Sequence, residues 1–67
     1  MDIHFTRMGM FWECIGDDVA TVCKVLRLYQ TRLRDGRPLV GFPVYATQAE
    51  DYFQQLSNAG HHVVRHV

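Results

Sequence analysis

The stretch Arg7-Met8-Gly9-Met10-Phe11-Trp12-Glu13-Cys14-Ile15-Gly16-Asp17-Asp18 decides how the rest of the chain is read. Its first part has the composition of a strand and its end that of a helix start. Successive side chains of a strand alternate between faces, so Phe11 and Glu13 share one face while Trp12 points to the other. One face thus carries a flat apolar ring beside a hydrogen-bond acceptor, and the other a large anchor for a core. Gly9 leaves its position bare and lets the strand bend or another backbone approach. An apolar wedge with an acceptor beside it is suited to testing a base stack, because the ring can unstack a step while the carboxylate probes the exposed base. The plain structural reading competes with this one: strand aromatics are commonly core, and a nearby Glu is commonly a solvated charge. Trp12 is expected to be largely buried and Phe11 substantially exposed.

Outward from this stretch, Ile3 to Ile15 reads as one central strand, apolar on both faces in places. Gly16 breaks it, and Asp17 or Asp18 is expected to cap the next helix. Val19, Val22, Cys23, Leu26 and Tyr29 follow helical spacing and are expected to form its buried stripe, with Lys24 and Arg27 opposite. Thr31 to Val40 reads as a hairpin turning at Asp35-Gly36, a two-residue signal for a type I′ turn. Its tip gathers Arg32, Arg34 and Arg37, the densest basic cluster of the chain. Two roles are open to these arginines: protecting a strand edge against aggregation, or contacting phosphates. Gly41-Phe42-Pro43 closes the hairpin. Thr47-Gln48-Ala49-Glu50 has the spacing of a capping box, and the helix it opens runs to about Ala59, with Ala49, Tyr52, Phe53 and Leu56 inward. Gly60 ends it. His61 to Val67 forms a last strand, with Val63 and Val67 on one face and Val64 on the other.

The order β-α-β-β-α-β predicts an α/β (α+β) fold: a small mixed sheet with two packed helices, in a single domain over residues 1–67. The 67 residues are 48% hydrophobic and 21% charged, an ordinary globular composition with room for one modest core. Seven basic residues balance seven acidic ones, a formal net charge of +0, so little phosphate neutralisation is on offer. No apolar run has the length of a membrane span, and Met1-Asp2-Ile3-His4 has no secretory-signal pattern, which leads to the expectation of a cytoplasmic location without membrane contact. Cys14 and Cys23 are expected to be free, small hydrophobes.

Chemistry beyond this is sparse. His61, His62 and His66 lack a nearby Cys in ligand spacing, and adjacent strand histidines face opposite ways, so surface histidines are expected rather than a metal site. No phosphate-cradling glycine loop with Lys-Ser or Lys-Thr is present. Of the acidic residues Glu13, Asp17, Asp18 and Glu50, helix capping accounts for three and leaves Glu13 alone. The expectation is a protein without catalytic residues, metal or cofactor.

Arg7-Met8-Gly9-x-Phe11-x-Glu13, followed by Asp17-Asp18 and a helical run to Leu26, resembles the opening of the N-terminal mismatch-recognition domain of the MutS family. Gly41-Phe42-Pro43, then Tyr52-Phe53 and Leu56, then Gly60 before a Val-rich strand, are similar to the second half of that domain. The resemblance extends from about Phe5 to Val64. Met10 stands where the family usually has Asp, Trp12 where it has Tyr, and Tyr45 where it has His. The loop before the second helix is longer, and the hairpin before Gly41 shorter, than in the family. The resemblance implies the same small mixed sheet and a DNA-binding module in mismatch repair. Phe11 would stack on a mispaired base from the minor-groove side and Glu13 would hydrogen-bond it, with Arg32, Arg34 and Arg37 as phosphate contacts. The implied partner is double-stranded DNA with a mismatch or distortion, bound weakly by the domain alone. A protein partner would supply the clamp and ATPase functions. The alternative is a protein-interaction module that keeps the fold without independent DNA binding.

Overall fold

The computed structural model describes residues 2–67. Its elements are β1 (Asp2–Met8), β2 (Phe11–Ile15), α1 (Val19–Leu26), β3 (Thr31–Arg32), β4 (Pro38–Pro43), α2 (Ala49–Asn58) and β5 (His62–His66). The five strands form one mixed sheet in the order β3-β4-β2-β1-β5. All pairings are antiparallel except β1 with β5, so the two ends of the chain lie side by side. The fold class is the expected one, with one more strand.

That extra strand comes from the deciding stretch. The single strand expected over Ile3–Ile15 folds back on itself at Gly9-Met10, pairing Met8 with Phe11 and Thr6 with Glu13. Gly9 has φ +62 while Met10 stays at negative φ, the sign pattern of a two-residue type II′ hairpin turn. A residue with a Cβ is strained at that first position, so the glycine makes the reversal possible.

Alternation then sorts the side chains. Ile3 and Phe5 of β1, Cys14 of β2, and Val40 and Phe42 of β4 are buried with Val19, Val22 and Leu26 of α1 and Ala49, Phe53 and Leu56 of α2. Both helices therefore pack on the same face of the sheet. Phe53 is the hub: its ring meets Phe5 at 5.1 Å, Phe42 at 5.3 Å and Trp12 at 5.6 Å between centroids. The Phe5 and Trp12 contacts are edge-on, the arrangement ring quadrupoles favour. Cys14 and Cys23 are free thiols, and burial, then the nearby Asp18 carboxylate and Cys23, push the Cys14 thiol up to about 11.

Several local expectations are corrected. Neither helix has a side-chain cap: the N-cap residues Asp18 and Gln48 have helical dihedrals, whereas the capping bond needs an extended residue there. Thr47 bonds the Gln48 side chain, and Glu50 is taken by Arg65, so the capping box does not form. Tyr29 is 96% exposed, because α1 stops at Leu26 and Arg27 turns left-handed at φ 58, which ends the helical spacing. The hairpin turn is not type I′. Gly36 donates to the Leu33 carbonyl and Leu33 to the Arg37 carbonyl, with positive φ at Gly36 alone, giving a three-residue loop with a glycine bulge. Val67 lies beyond β5 and is exposed, so it does not share the inward face of Val63.

Candidate nucleic-acid interface

With both helices on one side, the other face of the sheet is covered by no element among the described residues. The register arranges its side chains in rows. Pro43, Phe11 and Met8 form one row, and Gly41, Glu13, Thr6 and His66 the next. Phe11 is 48% exposed on this face. Trp12 is half-buried on the opposite one, packed against the core through Phe53. Phe11 thus points outward and Trp12 inward, as expected, with Trp12 less deeply covered than expected.

Phe11, Glu13, Thr31, Leu39 and Gly41 line a shallow groove of about 250 Å³. Phe11 and Leu39 supply apolar walls, Thr31 a hydroxyl and Glu13 a half-buried carboxylate to which the described residues donate no hydrogen bond. Gly41 is the floor. A Cβ there would stand 2.6 Å from the Trp12 carbonyl oxygen and 3.4 Å from Glu13 Cγ, so β2 and β4 can run this close only with glycine at that point. The groove can accept a flat apolar group and offer it a hydrogen-bond acceptor at one edge.

The rim beside Phe11 is apolar as well. Met8 and Met10 are exposed, and the Val44 amide donates to the Met10 carbonyl at 2.9 Å, holding the loop that carries exposed Tyr45 against the hairpin turn. Arg7 pairs with Trp12 in the ladder next to the Met8–Phe11 pair and donates through Nε to the Gly9 carbonyl. Its side chain starts on the Trp12 side of the sheet, opposite Phe11, and puts a cation at the turn end of the hairpin.

The arginine hairpin lies elsewhere. Phe11 pairs with Pro43 at one end of β4, whereas Arg32 pairs with Pro38 at the other. At about 3.4 Å per residue, the hairpin loop is roughly 20 Å along the strand from Phe11. The three guanidiniums also differ. Arg32 donates to the Gly36 carbonyl at 2.7 Å, and Arg37 pairs with Asp35 at 2.8 Å. The Arg37 amide, and then that pairing, hold the Asp35 carboxyl below its usual value. Arg34 bonds nothing among the described residues and points its full charge outward.

Sequence reasoning paired Phe11 with Glu13 and missed Thr31, Leu39, Met8 and Arg7. The signal for Met8 and Arg7 was the Gly9-Met10 turn. Thr31 and Leu39 enter through the pairing of β3, β4 and β2, for which one sequence holds no local sign. No helix is long and apolar enough to cross a membrane.

The MutS domain I family pattern matches residues 2–66. The chain is 37% identical over 57 residues to the DNA mismatch repair protein MutS of Fervidobacterium nodosum, covering 85% of this chain and 7% of that protein. It is 37% identical over 57 residues to the protein of the same name from Thermotoga neapolitana, with the same coverage. With the protein of that name from Methanosarcina acetivorans it shares 36% identity over 64 residues, 88% of this chain and 7% of that protein. The chain thus spans only a small fraction of the length of the relatives it matches. With the family pattern running through every strand and both helices, the chain belongs to the MutS domain I family.

Proposed function

We propose that this protein is a non-catalytic module that reads mispaired or distorted duplex DNA, with Phe11 as the wedge and Glu13 as the acceptor. One observation carries the reading: Phe11 and Glu13 face the same helix-free groove while Trp12, between them, is turned into the core. Membership of the family and relatives named DNA mismatch repair proteins support it. A mismatch lowers the cost of unstacking a step, so the ring enters most easily where pairing is already weak. The half-buried Glu13 carboxylate then recovers its desolvation by accepting from a base N–H, or by taking a proton. Arg7 and the outward Arg34 serve as phosphate contacts at the two ends of the sheet. With net charge +0, affinity for matched duplex stays in the usual nonspecific range of about 10⁻⁴ to 10⁻⁶ M. A partner supplies the clamp and ATPase functions that hold and bend the duplex.

An amide chemical-shift titration with a mismatched and a matched duplex tests this reading. Shifts at Phe11, Trp12 and Glu13 that are larger with the mismatch support it. No change at these residues with millimolar mismatched duplex overturns it. The second reading, a protein-interaction module, is favoured by a different observation: Met8, Phe11 and Ile15 are exposed apolar side chains on one uncovered face. Shifts at these three with a protein partner, and none with DNA, support that reading instead.

A further inference from the structure

The parallel pairing of β1 with β5 sets His4 opposite Val64 and Thr6 opposite His66, which places His4 and His66 diagonally on the helix-free face. Their rings meet. His4 Nδ1 lies 2.8 Å from His66 Nε2, the ring planes are within 17° of each other, and the centroids are 5.1 Å apart. One ring donates its N–H to the lone pair of the other, and both side chains are exposed. The rung before them, Asp2 opposite His62, forms its own contact at 3.3 Å.

We propose that His4 and His66 form a binding site for one divalent transition-metal ion of the nickel and copper class. The proposal stands apart from the nucleic-acid reading. Neutral imidazole nitrogens are good ligands for these ions, which stand at the head of the affinity order for nitrogen sites. Two nitrogens bound at about 2.0–2.1 Å lie about 2.9 Å apart when they occupy neighbouring corners of a square-planar or octahedral ion, and about 3.4 Å apart on a tetrahedral one. The 2.8 Å contact of this pair shows that the two nitrogens can approach to the first of these distances. The ion takes the place of the N–H between the rings, the ring that carried that hydrogen passing to its other tautomer by exchange with water, and the two exposed rings pivot toward it without disturbing any buried group. No cluster of three or more His, Cys, Asp or Glu that could hold a metal occurs among the described residues, so water fills the remaining positions. The two ligands are 62 residues apart in sequence and meet only when β5 has docked on β1. The ion therefore binds the folded chain in preference to the unfolded one and stabilises it.

Nickel chloride titrated into the full chain, followed by histidine-ring NMR and by thermal melting, tests the site. The expected result is line broadening centred on the His4 and His66 rings and a melting temperature that rises with nickel. Each of His4→Ala and His66→Ala should weaken binding at least tenfold and abolish the rise, while His62→Ala leaves both unchanged. Melting without metal shows whether each variant folds, and His66→Gln, which keeps a polar side chain, repeats the test if His66→Ala does not. Undiminished binding in the folded His66 variant would mean that His4 acts with another group, and would overturn the pair. Broadening centred on His61 or His62 in the wild type would do the same. Zinc binding tighter than nickel would overturn the choice of ion class.

Discussion

The guanidinium of Arg65 lies 4.0 Å above the ring centroid of Phe53, closing the aromatic hub where β5 borders α2. The same group makes two bonds of 2.8 Å to the Glu50 carboxylate, so a charged fork from the last strand is tied to the first turn of α2. The contact explains why a helix that lacks its capping box is still fixed at its N-terminal end.

Arg65→Ala is accordingly expected to destabilise the fold by about 1–2 kcal/mol, most of it from the lost cation–π and packing contact. Glu50→Gln should have a much smaller effect, because Glu50 is exposed. Hydrogen bonding by Arg65 lowers the Glu50 carboxyl from its ordinary value of 4.5. A lowered folded-state pKa contributes stability that is present above 4.5 and lost as the pH falls through the folded value. Urea midpoints between pH 3 and 6 (roughly the carboxylate range) should fall more in wild type than in Glu50→Gln, where the lowered Asp35 carboxyl still contributes.

Phe11 and Trp12 separate function from stability. Trp12→Ala removes a ring packed on Phe53 and should cost about 2–4 kcal/mol, somewhat under the value for a fully buried aromatic. Phe11→Ala should change stability by no more than about 1 kcal/mol, since the ring is half exposed. In binding, Phe11→Ala should erase the preference for mismatched over matched duplex, a stacking contribution on the order of 1–3 kcal/mol, and leave weak matched binding intact. Equal loss of both kinds of binding would assign Phe11 to general affinity rather than to reading.

The arginine hairpin is tested through salt. Each phosphate contact removed flattens the log–log dependence of affinity on salt by about 0.9. Because Arg32 and Arg37 are engaged by Gly36 and Asp35, Arg34→Ala alone should produce most of the change seen on replacing all three. A slope that does not move in the triple variant leaves the hairpin the role of edge protection.

Gly41→Ala probes the groove floor. Its Cβ would meet the Trp12 carbonyl at 2.6 Å, a backbone atom that cannot turn aside, so β2 and β4 must separate. Overpacking of this kind costs about 1–3 kcal/mol. A lowered urea midpoint together with amide shifts at Trp12 and Glu13 is the expected outcome; unchanged stability would show that the strands part easily.

Much of the site was legible in the order of residues. Alternation along Phe11-Trp12-Glu13 is a property of any strand, so the separation of wedge from anchor follows without knowing what the strand pairs with. The inward positions of Val19, Val22, Leu26, Phe53 and Leu56 follow from helical spacing in the same way. The tertiary structure decided what depends on partners distant in sequence. Both helices went to one face, which left Phe11 and Glu13 uncovered, and the pairing of β3, β4 and β2 built a groove from Thr31, Leu39 and Gly41. The course of β4 carried the arginines away from Phe11. The docking of β5 on β1 set His66 against His4. Periodicity is set by each residue's own backbone geometry, whereas register and coverage are set by contacts the whole chain must close. For this protein the first put Phe11 and Glu13 on one side of the strand, and the second left that side uncovered.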